Sequence, residues 1–178
     1  MTRNRRVVVH NVPYFITCQV HTDVTLPVVA VMAAAVLDAL KRIRSRWGAE
    51  LHAYVVMPDH WHALITTQPP HDISRVMNSV KTRSAMAIQN RTGLAGPVWQ
   101  PRFYDRVCRD AGEFGETLAY IHHNPVGAGL VESPAEWPWS SWYEYAEGGV
   151  APVTVDRVEG PFDAKWTEWA RHRPPRRR

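Results

Sequence analysis

The chain has 178 residues, 45% of them hydrophobic, enough for one packed domain with a modest extension and too much for wholesale disorder. Its formal charge of +4 is carried mainly by arginine, since lysine occurs only at Lys41, Lys81 and Lys165. A planar guanidinium matches phosphate better than a compact ammonium does, which favours a polyanionic partner. The most apolar stretch, residues 26–40, is too short to span a bilayer and includes Asp38, and the apolar run behind Arg3, Arg5 and Arg6 is too short for a secretory leader, so no membrane role is expected. Cys18 and Cys108 stand far apart in no metal-like spacing and read as reduced thiols of a cytosolic protein.

In chain order, residues 1–12 form a basic arm. Residues 13–21, rich in aromatic and β-branched types, predict a first strand. Pro27 opens a helix whose apolar positions Val29, Met32, Val36, Leu40, Ile43 and Trp47 recur at helical spacing until Gly48 stops it. Lys41, Arg42, Arg44 and Arg46 lie on its outer face. Residues 51–57 and 60–67 predict two strands joined at Pro58-Asp59, a hairpin. Asp72 or Ser74 can cap the next helix, whose stripe is Ile73, Val76, Met77, Val80, Ala87 and Ile88, with Arg75, Ser79 and Arg83 on another face. A loop over 93–101 leads to a fourth strand at 102–108. A third helix is expected over 111–123, ended by Asn124-Pro125 because a residue before proline disfavours αR. The order β-α-β-β-α-β followed by a helix gives an α+β fold of ferredoxin-like type, an antiparallel sheet with helices on one face plus a C-terminal helical and loop extension. The domain is placed at 13–145. Residues 146–178 read as a looser extension containing Trp166 and Trp169 and ending in the basic tail 171–178.

Three segments carry chemistry. In His60-Trp61-His62, strand alternation sends both imidazoles out of one face and Trp61 into the other, so the pair can hold one divalent ion; a pair of surface or core-satisfied histidines is the plainer alternative. In 120–125, Tyr120 lies off the apolar stripe of Phe114, Leu118 and Ile121, on the face of Glu116 and Asn124, and Tyr120 and Asn124 are one turn apart. An ordinary surface tyrosine and an asparagine C-cap are the alternatives there. In 99–104, aromatic and basic residues interleave, as they do where bases stack and phosphates pair, and equally as they do along a buried strand edge. Arg83, Arg102, Arg106 and the tail residues Arg176, Arg177 and Arg178 are the candidate nucleic-acid contacts.

Taken together, four ordered blocks resemble the REP-associated tyrosine transposases, single-tyrosine HUH enzymes related to insertion-sequence transposases. Met57-Pro58-Asp59-His60-Trp61-His62 resembles their HUH motif, and Val98-Trp99-Gln100-Pro101-Arg102-Phe103 their second block. Tyr120-Ile121-His122-His123-Asn124-Pro125-Val126 resembles the nucleophile block, and 127–131 with 137–142 the segments after it. The resemblance runs over about 13–145. It implies that His60 and His62 bind a metal, Mg²⁺ or Mn²⁺, that Asn124 completes its shell, and that Tyr120 attacks DNA to give a 5′-phosphotyrosine and a free 3′-hydroxyl. A second 3′-hydroxyl could then rejoin strands without ATP. The implied substrate is single-stranded or hairpin DNA of REP-like palindromic type, and the implied setting the bacterial cytoplasm, close to the nucleoid. Monomer and homodimer both fit. Gly127 stands where many relatives have arginine, which puts one DNA contact in doubt. A domesticated hairpin-binding protein without cleavage, and a metal-dependent nuclease using water, are the other function classes.

Overall fold

A computed structural model of the chain describes residues 9–22, 29–146 and 149–157. It contains β1 (Pro13–Gln19), α1 (Val29–Lys41), α2 (Ile43–Trp47), β2 (Glu50–Val56), β3 (His60–Thr66), α3 (Ile73–Thr92), β4 (Tyr104–Val107), α4 (Ala111–Gly127), a 3-10 turn (Pro134–Glu136) and α5 (Trp142–Tyr145). The sheet order is β2-β3-β1-β4 and every neighbouring pair is antiparallel. This is the order of a split βαβ sheet.

Side-chain alternation along the strands builds two cores, one on each face. Ile16, Cys18, Trp61, Ala63 and Ile65 meet Met32, Val36 and Leu40 of α1 and Ile73, Val76, Met77 and Val80 of α3 on one face. These two helices share a face, as expected from the sequence. Phe15, Ala53, Val55 and Leu64 leave the opposite face and meet Phe114, Leu118 and Ile121 of α4. The third helix therefore closes the second face. Asp72 is the cap of α3, its carboxylate accepting from Arg75 N–H, and Asp110 caps α4 by accepting from Glu113 N–H.

Three boundaries differ from expectation. The single helix expected up to Gly48 is two, α1 and α2, parted at Arg42, with Gly48 ending α2 in the left-handed region at φ 59°; Pro27 lies outside the described residues. The fourth strand keeps only Tyr104–Val107 of the expected 102–108. The largest correction concerns α4, which runs on through Pro125 to Gly127 instead of ending before it. A proline inside a helix forfeits one hydrogen bond and crowds the preceding turn. Here Pro125, Ile121 and His122 are all buried, and Ala128 N–H still donates to the Asn124 carbonyl at 2.9 Å. Tertiary packing offsets the local penalty. Asn124 is thus an interior helical residue and not a cap.

The outer edge of β2 is covered rather than left as a template for aggregation. Val56 N–H donates to the Trp139 carbonyl at 2.9 Å and Ser141 N–H to the Tyr54 carbonyl at 3.0 Å, while Trp137 Nε1–H donates to the Val56 carbonyl at 2.9 Å. The described part of the C-terminal extension continues this cover. Ala151, Val153 and Val155 are buried, Asp156 N–H donates to the Leu51 carbonyl at 2.7 Å, and Tyr54 Oη lies 2.9 Å from Val153 N. Residues 149–157 are therefore packed onto the domain, tighter than the loose extension expected there.

Candidate active site

The β1–β3 register places Thr17 opposite His62 and Gln19 opposite His60. Trp61 enters the helical core fully buried, and the two histidines leave the other face with ring centroids 4.6 Å apart. Each ring is held by one nitrogen. His60 Nδ1–H donates to Asp59 Oδ1 at 2.6 Å. His62 Nδ1 lies 2.9 Å from Thr17 Oγ1, and the Ile16 carbonyl also accepts from this ring. With Nδ1 engaged by the hydroxyl, Nε2 is the ring nitrogen that remains for a ligand. Among the described residues that buried Nε2 has no hydrogen-bond partner.

An unpartnered buried imidazole nitrogen costs free energy unless something occupies its lone pair. Burial, and secondarily the neighbouring His60, push His62 down to about 3, so the ring is neutral through the physiological range and able to ligate. Among the described residues no third His, Cys, Asp or Glu gathers with the pair. Asn124, the third ligand candidate from the sequence, is half-buried one turn after Tyr120.

α4 brings Tyr120 over the same sheet face. Its ring lies 5.4 Å from His62 and meets Phe15 edge-on at 5.8 Å, and Phe15 in turn stacks on His62 at 5.1 Å. Tyr120 and His62, far apart in the chain, thus meet at Phe15, and His60 lies against His62. α4 itself is pinned by buried His122, whose Nε2 lies 2.8 Å from Ser141 Oγ.

The other predicted residues divide. Arg106 is exposed in β4, opposite Phe15 in the ladder, and donates to Thr117 Oγ1 at 3.2 Å, so it stands on the same face as His60 and His62. Arg102 is exposed just before β4, and Arg83 is exposed on α3, on the far side of the sheet. Arg176, Arg177 and Arg178 lie outside the described residues. The aromatic-basic segment splits: Trp99 is interior, its Nε1–H donating to Ser84 Oγ at 3.0 Å, while Tyr104 is 58% exposed and edges Phe15 at 6.4 Å. Sequence reading missed Thr17 and the role of Asp59. The only signal for Thr17 was a polar residue within an apolar strand, and its partner is set by the register of a distant strand.

Two buried neutral histidines give the fold a pH dependence. His122, like His62, is pushed down to about 3, by burial and then by His123. The unfolded chain takes up these protons near 6.5, whereas the native state refuses them until about 3. Stability is therefore greatest above 6.5 and falls as pH drops toward 3. Urea midpoints of the metal-free protein should begin to decline near pH 6.5, above the carboxylate range. Midpoints that hold level until carboxylates titrate, at about pH 4, would contradict neutral buried rings.

A four-stranded antiparallel sheet carrying a His-x-His pair, faced by a tyrosine from a following helix, defines a class. The chain belongs to the family of IS200-like transposases, whose family model matches residues 19–124 and so takes in His60, His62, Tyr120 and Asn124. Among particular relatives, the REP-associated tyrosine transposase of Escherichia coli K12 is 30% identical over 105 residues, spanning 58% of this chain and 61% of the length of that protein. A solved structure of a REP-associated tyrosine transposase bound to a REP hairpin superposes with a TM-score of 0.68 at 24% identity, covering 90% of this chain and 94% of that one. That likeness shows a shared fold. Among the described residues no helix is long and apolar enough to cross a membrane.

Proposed function

We propose that this protein is a metal-dependent DNA strand transferase, cleaving and rejoining single-stranded DNA beside REP-like hairpins through a 5′-phosphotyrosine at Tyr120. The observation that carries the reading is the unpartnered, buried Nε2 of His62 beside His60 and within ring contact of Tyr120. His60 and His62 hold the ion, and Asn124 contributes to its shell. A divalent ion there, Mg²⁺ or Mn²⁺, supplies Lewis-acid polarisation of a phosphate oxygen; imidazole ligation leans to Mn²⁺ and an oxygen-rich phosphate shell to Mg²⁺.

The chain's own residues do the rest. Thr17 and Asp59 fix the two imidazoles with Nε2 available, as partners of metal-binding histidines commonly do. Phe15 sets the angle of both the His62 and Tyr120 rings. The Tyr120 hydroxyl gives its proton to solvent and its oxygen attacks phosphorus, forming one P–O bond as the bond to the 3′ oxygen breaks; that oxygen leaves with the electron pair and takes up a proton to become the free 3′-hydroxyl. The phosphodiester count is conserved, so a second 3′-hydroxyl reverses the step and joins strands. Arg106 on the same face contributes a phosphate contact.

Incubation of the protein with labelled hairpin DNA carrying a single-stranded flank, with Mn²⁺, tests the reading on a denaturing gel. A covalent protein–DNA band together with a free 3′ fragment is expected. Cleavage without a covalent band would favour a nuclease using water, and binding without cleavage a hairpin-binding protein.

Thr17→Val removes the hydroxyl beside His62 and keeps the β-branched shape. Mn²⁺ affinity should fall by about 10- to 100-fold with the fold intact, by calorimetry and circular dichroism. Unchanged affinity would show that Thr17 does not orient the ring.

A further inference from the structure

Tyr120 and His122 are two positions apart on α4, about 200° around the helix axis, so they leave opposite flanks of it. Between them, Phe114, Leu118 and Ile121 seat the helix on the sheet. On one flank Tyr120 meets Phe15 of β1 and His62 of β3. On the other, His122 is 0% exposed and reaches the outer edge of β2 through Ser141. His122 Nε2 lies 2.8 Å from Ser141 Oγ. The same hydroxyl oxygen accepts from Tyr54 N–H at 2.9 Å, and Ser141 N–H donates to the Tyr54 carbonyl at 3.0 Å. Ser140 next to it bridges to Val55, which is paired with His62 in the β2–β3 ladder. One chain of bonds therefore runs from the strand pair carrying His62, through Tyr54 and Ser141, to the helix carrying Tyr120.

A buried histidine–serine pair is a costly way to hold a helix down, because both polar groups must be desolvated. What the pair adds is direction. Hydrophobic contact is non-directional, so an apolar stripe alone leaves a helix some freedom to roll on a sheet. A hydrogen bond on one flank stops the roll, and satisfied buried polar contacts specify one arrangement. A roll of about 10° would move a phenolic oxygen about 9 Å from the helix axis by roughly 1.5 Å. Misplacement by about 1 Å can cost on the order of 10²-fold in rate. Pro125 adds a second reason. It has no N–H to give to the Ile121 carbonyl, so the turn after Tyr120 forgoes one rung of the helix's own ladder, and His122 lies within that turn. Trp142 and Tyr145 close over the imidazole, with ring centroids at 5.8 and 5.3 Å, and Tyr145 Oη–H donates to the His52 carbonyl of β2 at 2.7 Å.

We propose that His122 and Ser141 are positioning residues: their hydrogen bond fixes the roll of α4 on the sheet and so holds the Tyr120 oxygen where attack on phosphorus beside His60 and His62 requires it. This rests on the strand-transferase reading and deepens it. Both side chains act through Tyr120 and take no part in the reaction itself.

His122→Phe keeps an aromatic ring against Trp142 and Tyr145 and removes the nitrogens. His122→Gln keeps an amide able to reach Ser141 Oγ. Three quantities are compared with wild type. They are the single-turnover rate of adduct formation at saturating hairpin DNA and Mn²⁺, the melting temperature, and nuclear magnetic resonance cross-peaks between the Tyr120 and Phe15 rings in the metal-free protein. In His122→Phe the rate should fall by about 10- to 100-fold and the cross-peaks should weaken. The melting temperature should hold or rise, since no polar ring remains to be desolvated. His122→Gln should return rate and cross-peaks toward wild type. Adding Ser141→Ala to His122→Phe should cost no further rate, as expected of two groups in one link. An unchanged rate in His122→Phe, or a lower rate with unchanged cross-peaks, would overturn the positioning role. An equal loss in His122→Gln would assign the effect to ring packing and overturn it as well. A rate that follows the melting temperature across the variants, and not the cross-peaks, would reduce the pair to a stabilising contact. A wild type that forms no adduct, while its cross-peaks respond to His122→Phe as described, would overturn the strand-transferase reading and leave the link to Tyr120 standing.

Discussion

Tyr120→Phe will abolish covalent capture of DNA, lowering adduct yield by about 10³-fold or more, while hairpin affinity changes less than about twofold. The size of the effect follows from the proposed role: on that mechanism the hydroxyl oxygen is the atom that bonds phosphorus, and no general acid or base can substitute for a missing nucleophile. The small effect on binding follows from the geometry. The phenylalanine ring keeps the edge contact with Phe15 at 5.8 Å and its place 5.4 Å from His62, so α4 remains seated. A denaturing gel reads the adduct, and a native gel shift without metal reads affinity. An adduct that persists in Tyr120→Phe would place the nucleophile elsewhere. Loss of binding along with the adduct would show that the hydroxyl serves recognition.

Removing the histidines should have an effect of similar size by a different route. His60→Ala and His62→Ala each delete a proposed ligand, so Mn²⁺ affinity should fall by more than the roughly 10- to 100-fold typical of losing a group behind a ligand, and cleavage should fall with it. The two variants differ in their second consequence. His62 is only 3% exposed, so truncation leaves a cavity beside Phe15 and lowers stability, whereas His60 is held at the rim by Asp59 and its loss should leave the melting temperature almost unchanged. His60→Ala is therefore the cleaner test. Calorimetry with Mn²⁺ on the folded variant decides it: undiminished affinity in the double variant would remove the metal from these two side chains.

What could be read from the sequence was whatever depends on local periodicity. His60 and His62 share a face because residues two apart in a strand do, and the burial of Trp61 between them follows from the same rule. Tyr120 was separable from Phe114, Leu118 and Ile121 by helical spacing alone. The order of elements, and with it the sheet, followed from switches between the two periods. What was not legible depends on contacts between distant segments. Thr17 acquires its role only through the β1–β3 register. Asp59 looked like turn chemistry and is also the partner of His60 Nδ1. The passage of α4 through Pro125 is decided by burial against the sheet, which the local rule for residues before proline does not weigh. Trp99, read as equally suited to bases or to an interior, is interior because Ser84 on α3 supplies an acceptor for its indole N–H.

On the proposed mechanism one tyrosine, on α4, bonds to DNA. Its most direct test is mass spectrometry of the adduct trapped with Mn²⁺ and a hairpin substrate, after digestion of both protein and DNA. A nucleotide attached to the peptide containing Tyr120, and to no other, is expected. A nucleotide on a peptide carrying Tyr104, Tyr143 or Tyr145, with the Tyr120 peptide unmodified, would contradict it.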